Sequence, residues 1–328
     1  MEIALSNIYQ IPLSMAVFLA DDDYDGHSTD PYNISVTTLL KSTRKIILYR
    51  RLPDNLVTDI SDKISSRLGQ AYHKAVENAW LNKPQEIMKK LHYPQKVIDR
   101  LVVNPTPEQL KKNEDLLPVY LEQRNTKKVG KWTITGQFDL IVLGTLEDIK
   151  STSVYNYMKQ TNVKDYIAQG SMYRWINPTL ITEDYMNINY IFTNWQASMV
   201  KTVKGYPPLK LMVQQLKLNS IQETENFVRN KLKDIERHID KPEHLLPYCS
   251  DEDLWRKPPV WKYFSKPSST SSRKNFDNLY DAQTFLLDKP LGRIEMFPGE
   301  VGACKYCAAF SICTQKDEYV LSGELKLK

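Results

Sequence analysis

The chain has 328 residues, of which 41% are hydrophobic, with nineteen Tyr and six Trp. That is enough apolar material for one large domain or two small ones, and it excludes global disorder. A net charge of +5 permits a polyanionic partner without demanding one, so charge alone selects no function.

Near the start, "IYQIPLSMAVFLA" is apolar but has no basic leader, contains Pro12 and runs into "DDDYD". Neither a signal peptide nor a membrane span is expected, which places the chain in the cytoplasm, where disulfides are rare. Asp21, Asp23, Asp25 and Gly26 match the opening of a calcium loop, but the closing Glu is replaced by Tyr32. An acidic surface loop is the reading left. "ISVTTLLKSTRKIILYRR" predicts a short helix followed by an extended segment.

Ile64, Leu68, Ala71, Ala75 and Ala79 recur at helical spacing and predict a long amphipathic helix, with His73 and Glu77 four apart on one face. Residues 85–125 are strongly charged and read as helical, with a fresh helix start at Thr106-Pro107. "KWTITGQFDLIVLGTLEDIKST" changes period and predicts two or three antiparallel strands around Gly144-Thr145. A helix over "SVYNYMKQTNVKDYIAQGSMYRWIN", a strand in "YMNINYIFTNWQASMV" and a helix over "SIQETENFVRNKLKDIERHI" follow. This order predicts an α/β fold rather than an all-α or all-β one. The tail is loop-rich, and "SKPSSTSSRKNF" reads as a polar surface loop between short strands.

In the predicted hairpin, Asp139 and Asp148 come side by side. Two such carboxylates repel unless a cation sits between them, and Mg²⁺ or Mn²⁺ with oxygen ligands meets that need. Lys150 lies two residues beyond Asp148, on the same strand face, where its ammonium can stabilise charge on an attacked phosphate. Asp-x-Lys alone also describes a salt-bridged surface hairpin, so the surrounding motifs matter.

Those motifs resemble the PD-(D/E)xK nucleases, in particular the RecB-like branch. "LGQAYHKAVE" carries His73, "GQFD" carries Asp139, "EDIKST" carries Asp148 and Lys150, and "QGSMY" carries Gln169 and Tyr173, in the family's order. The resemblance implies a restriction-endonuclease-like α/β core, a central mixed sheet flanked by helices, with a cysteine-bound C-terminal extension. It implies an N-terminal segment over 1–35, the nuclease core over 36–240 and the cysteine region over 241–328. It also implies a metal held by His73, Asp139, Asp148 and the main-chain carbonyl of Ile149, with Asp139, Asp148 and Lys150 catalytic. Gln169 and Tyr173 would support the site or touch DNA. Glu147 alternates to the opposite face, and Glu77 is expected in a helix salt bridge.

Cys304, Cys307 and Cys313 are spaced C-x2-C-x5-C, Cys249 stands upstream, and no other cysteine exists. Four thiolates suit either structural zinc or an iron–sulfur cluster. The tail is similar to that of iron–sulfur nucleases of the same branch, such as the CRISPR-associated exonucleases, which implies a 4Fe-4S cluster. In those proteins the fourth cysteine precedes the nuclease motifs. Here residues 1 to 248 contain none, so Cys249 would have to serve and zinc stays open.

The expected function is a metal-dependent DNA nuclease, an exonuclease of recombination, repair or replication. Its partners would be DNA that is single-stranded or has ends, together with a recombination or replication protein, in a bacterial cell and on a phage genome. The alternative is a catalytically silent DNA-binding or scaffolding protein with the same fold, from which loss of the lysine or a carboxylate would be expected. A zinc-stabilised interaction module would explain the cysteines alone. No GxxxxGK[ST] loop occurs, so ATP-driven unwinding is not expected.

Overall fold

The computed structural model describes residues 4–21, 30–53 and 56–327, and the acidic calcium-like loop lies almost wholly outside them. The chain divides into two compact units, Met1–Leu40 with Asp54–Asn230, and Lys41–Pro53 with Lys231–Lys328. The segment 41–53, numbered with the nuclease core in the sequence reading, groups with the C-terminal residues instead.

The strands of the first unit are β1 (Ala4–Ser6), β2 (Asn33–Ser35), β3 (Val57–Asp59), β4 (Leu101–Val103) and β5 (Leu117–Leu121). They continue with β6 (Arg124–Val129), β7 (Trp132–Gln137), β8 (Leu140–Val142), β9 (Thr145–Thr152), β10 (Tyr185–Phe192) and β11 (Leu211–Lys217). A mixed sheet of order β11-β10-β9-β8-β5-β4 forms the centre, and β2-β7-β6 form a second sheet. The α/β class with a central mixed sheet is thus what the fold displays.

β10 alternates as a half-covered strand must: Met186, Ile188, Tyr190 and Phe192 are buried and the residues between them are not. The helix Val163–Ile176 lies tightly against it, since a Cβ on Gly170 would meet Met186 Sδ at 2.3 Å. β8 and β9 are joined by Leu143 (φ 49°) and Gly144 (φ 83°), a two-residue turn with both φ positive that matches the strands' twist. This hairpin places β9 in the middle of the sheet, antiparallel to β8 and parallel to β10.

Two expectations are corrected. Residues 85–125 contain the helices Pro84–Lys90, Gln95–Ile98 and Pro107–Lys112, but also β4, β5 and the start of β6. Leu101, Val119, Tyr120 and Leu121 are buried there, and tertiary burial of β-forming residues outweighs the charged, helix-like surroundings. The start at Thr106 is observed, with a capping box to Gln109. Residues 36–50 form two helices, Val36–Leu39 and Thr43–Arg50, with no extended segment after them.

In the second unit, β12 (Val260–Phe264), β13 (Lys274–Phe276) and β14 (Arg293–Phe297) pair in the order β13-β12-β14. The Ser-rich stretch is the loop between β12 and β13. The helix Leu279–Asp288 covers Tyr263 and Phe276 through Ala282 and Phe285. The helix Thr43–Arg50 packs Ile47 and Leu48 against Leu246 and Ala309. Among the described residues, no helix is long and apolar enough to cross a membrane.

Candidate active site and cysteine centre

The first cluster forms where the chain passes between the two sheets. After β5 it leaves the central sheet at Glu122 to enter β6, and after β7 it returns at Asp139 to enter β8. The two crossing points are hydrogen-bonded, Glu122 N–H donating to the Asp139 carbonyl at 2.9 Å. Glu122 has φ 45°, a left-handed conformation that glutamate rarely adopts and that commonly marks functional positions. The carboxylates of Glu122 and Asp139 therefore meet where the strands part.

His73, on the helix Ile64–Asn82, faces both. Its Nδ1 lies 3.5 Å from Glu122 and 3.4 Å from Asp139, while Nε2 donates to the Ile149 carbonyl at 3.2 Å. Among the described residues, His73, Glu122 and Asp139 are the one trio of His, Cys, Asp or Glu whose donor atoms all lie within 4.8 Å of one another. Nδ1 is buried with no hydrogen-bond partner of good geometry. Burial opposes charge on the ring, but hydrogen bonds and charge from Asp139 and Glu122 outweigh it and raise the His73 pKa to about 10. The other oxygen of Asp139 accepts from Ile149 N–H at 2.9 Å, which fixes the carboxylate to β9.

Asp148 is 2% exposed and pairs with Lys150, Nζ to Oδ2 at 2.7 Å. Burial pushes the Asp148 carboxyl up to about 6, with Lys150 pulling the other way and Asp139 adding to the rise. Burial also disfavours charge on Lys150, yet Asp148 and then Asp139 raise its pKa above the ordinary lysine value. Lys150 reaches Gln169 Oε1 at 3.5 Å, and Gln169 Nε2 donates to the Tyr173 hydroxyl at 3.0 Å. A side chain at Gly136 would meet the Tyr173 ring at 3.0 Å, so the glycine of "GQFD" lets β7 and the helix Val163–Ile176 approach.

His73, Asp139, Asp148, Ile149, Lys150, Gln169 and Tyr173 therefore join one continuous set, with two differences in detail. Asp148 sits outside the His73 trio and faces Lys150, and the Ile149 carbonyl is engaged by His73. Glu122 is the residue that sequence reasoning missed. Its signal was the β-forming "PVYL" before it, masked by the charged residues on either side. Glu147 turns away to Asn189, and Glu77 pairs with Lys74. His73 and Glu122 open onto a cleft of about 990 Å³ whose walls include Phe18, Arg67, Lys74, Glu77 and Arg124.

In the second unit, Cys249, Cys304, Cys307 and Cys313 are all free and half-buried, and all four line one small void of about 20 Å³ with Arg44, Lys45 and Asp253. Burial first, then repulsion from Cys313, Cys307 and Cys249, pushes the Cys304 thiol up to about 11; burial also raises Cys249. No three of the sulfurs come within 4.8 Å of one another.

No protein-family model matches the chain, and no curated protein matches it in sequence. Its structural neighbours are distant. SSO0001 aligns over 69% of this chain and 87% of its own, at 15% identity and a TM-score of 0.40. A phage-related exonuclease from Haemophilus somnus 129PT aligns over 64% of this chain and 94% of its own, at 14% identity and a TM-score of 0.27. Likeness at this level assigns no activity.

Proposed function

We propose that the chain is a metal-dependent deoxyribonuclease of the PD-(D/E)xK, RecB-like kind, hydrolysing phosphodiester bonds in DNA from an end. The observation that carries this reading is the buried Nδ1 of His73 held between two carboxylates, 3.5 Å from Glu122 and 3.4 Å from Asp139, beside the Asp148–Lys150 pair. With Nε2 donating to Ile149, a neutral ring must aim its Nδ1 lone pair at Glu122 and Asp139. That arrangement needs a proton or a cation. Two carboxylates and one imidazole suit Mn²⁺ or Mg²⁺, and His73, Glu122 and Asp139 would hold it, with Asp148 close by.

Such an ion supplies an activated water and charge stabilisation. The remaining work falls to the side chains. Asp148 keeps Lys150 protonated, and Gln169, braced by Tyr173, limits where its ammonium can point. Lys150 is then placed to donate to a phosphate oxygen as charge develops there. Arg67, Lys74 and Arg124 line the cleft, the first two paired with Asp21 and Glu77, and would exchange those partners for the phosphates of a bound strand.

The test is cleavage of end-labelled linear and closed-circular DNA with Mn²⁺, Mg²⁺ or chelator, wild type beside Asp148→Ala. Loss of linear forms alone, absent in the variant, supports an exonuclease. Cut circles would make it an endonuclease, and no cleavage by wild type would favour the DNA-binding scaffold.

For the cysteines the same reading extends to a structural metal centre. Around a single tetrahedral zinc, sulfurs stand about 3.8 Å apart. Four cysteines lining one void suit that zinc site or a 4Fe-4S cluster alike. Iron, zinc and acid-labile sulfide analysis of anaerobically purified protein decides between them.

A further inference from the structure

The segment 41–53 lies far from the cysteines in sequence, yet it contributes polar groups to three of the four sulfurs. Ser42, the N-cap of the helix Thr43–Arg50, places its hydroxyl 3.2 Å from Cys249 Sγ. Arg44 Nε donates to Cys313 Sγ at 3.3 Å, and the Tyr49 hydroxyl lies 3.9 Å from Cys307 Sγ. The Arg44 contact is a directed one, because the guanidinium is itself held. Arg44 is 1% exposed, donates to the Leu246 carbonyl at 3.1 Å and pairs with Glu243, which in turn accepts from Thr314 N–H beside Cys313. Gln315 binds both the N–H and the carbonyl of Cys249. Lys45 lines the same void and donates to the Asp253 carbonyl at 3.1 Å.

Four thiolates around a divalent ion or a cluster carry net negative charge, and hydrogen bonds to their sulfurs spread that charge and hold each ligand in place. We propose that Ser42, Arg44 and Tyr49 form the outer shell of the cysteine centre and are positioning residues that set how firmly the thiolates retain their metal. The proposal rests on the metal-centre reading above. The helix Thr43–Arg50 then groups with the C-terminal region because its donors complete the centre, as well as for its apolar contacts.

The experiment compares wild type with Tyr49→Phe, Ser42→Ala and Arg44→Met, each purified whole and assayed for metal content. Release to a chelator is followed with an iron- or zinc-specific dye, and the melting temperature of the metal-free forms is recorded beside it. Tyr49→Phe and Ser42→Ala should release metal several-fold faster, and Arg44→Met on the order of 10–100-fold faster. The metal-free forms of Tyr49→Phe and Ser42→Ala should melt like metal-free wild type, an equality that a merely structural role would not give. Wild-type release rates in all three variants overturn the proposal. A wild type without metal after anaerobic purification and reconstitution overturns the metal-centre reading itself, a result visible before any variant is made.

Discussion

The carboxylate site in the first unit and the cysteine site in the second manage charge in opposite ways. In the first, ions of both signs are already paired: His73 stands against Glu122 and Asp139, and Lys150 against Asp148. On the proposed reading, a divalent cation arriving there would displace a proton from His73 and could exchange with solvent ions through the cleft. In the second, burial raises the Cys304 and Cys249 thiols, and the proposed metal would have to drive off their protons before sitting among fixed donors. Hard, exchangeable coordination suits chemistry, and soft, enclosed coordination suits holding a fold together.

The largest effect that would break this contrast is on catalysis. Lys150→Ala or Asp148→Asn should lower the cleavage rate by at least about 10³-fold, as loss of a charge-stabilising group does, while leaving metal at the cysteines unchanged. Cleavage assays paired with metal analysis check both halves. Next comes Cys307→Ala, which should empty the cysteine centre and lower the melting temperature by on the order of 10 °C. A variant that melts with wild type removes the structural role of that centre. Glu122→Gln should raise the Mn²⁺ concentration needed for half-maximal cleavage by roughly 10–100-fold, with much of the rate restored at saturating ion.

The smallest effect is in pH. The protonated form of His73 favours the ion-free fold, since its pKa is raised from 6.5 to about 10. That contribution is complete below pH 6.5 and is lost as pH rises through about 10. The Asp148 carboxyl, raised from 3.8 to about 6, likewise stabilises the fold in its protonated form, fully below pH 3.8, and loses that contribution as pH rises through about 6. Chelator-treated protein should therefore melt a few degrees higher at pH 5 than at pH 9. Saturating Mn²⁺ should flatten the slope, and calorimetry at pH 8 in two buffers should show close to one proton released per ion bound.

Much of this site was legible because it is local in sequence. The β8–β9 hairpin brings Asp139, Asp148 and Lys150 together within twelve residues, and period-2 alternation puts Asp148 and Lys150 on one face. His73, Gln169 and Tyr173 were found only through motif order, since nothing in a helix's own pattern says which strand it meets. Glu122 was hidden for a different reason. Its place depends on the chain changing sheets after β5, an event set by tertiary pairing with Asp139 and invisible to local propensity. The helix Thr43–Arg50 was misread for the same cause, its buried face being completed by residues some two hundred positions later.

That last separation has a consequence for biosynthesis. Arg44 and its sulfur partner Cys313 are 269 residues apart, so at ordinary translation rates roughly 15–50 s pass between their emergence. Throughout that interval Ile47 and Leu48, packed against Leu246 and Ala309 in the finished protein, lack that cover. Assembly of the proposed cysteine centre would thus be a late step, and a nascent chain waiting for it presents an apolar segment to the cell's chaperones. Depriving cells of the metal should show up first as aggregation of newly made protein, while molecules completed earlier stay folded.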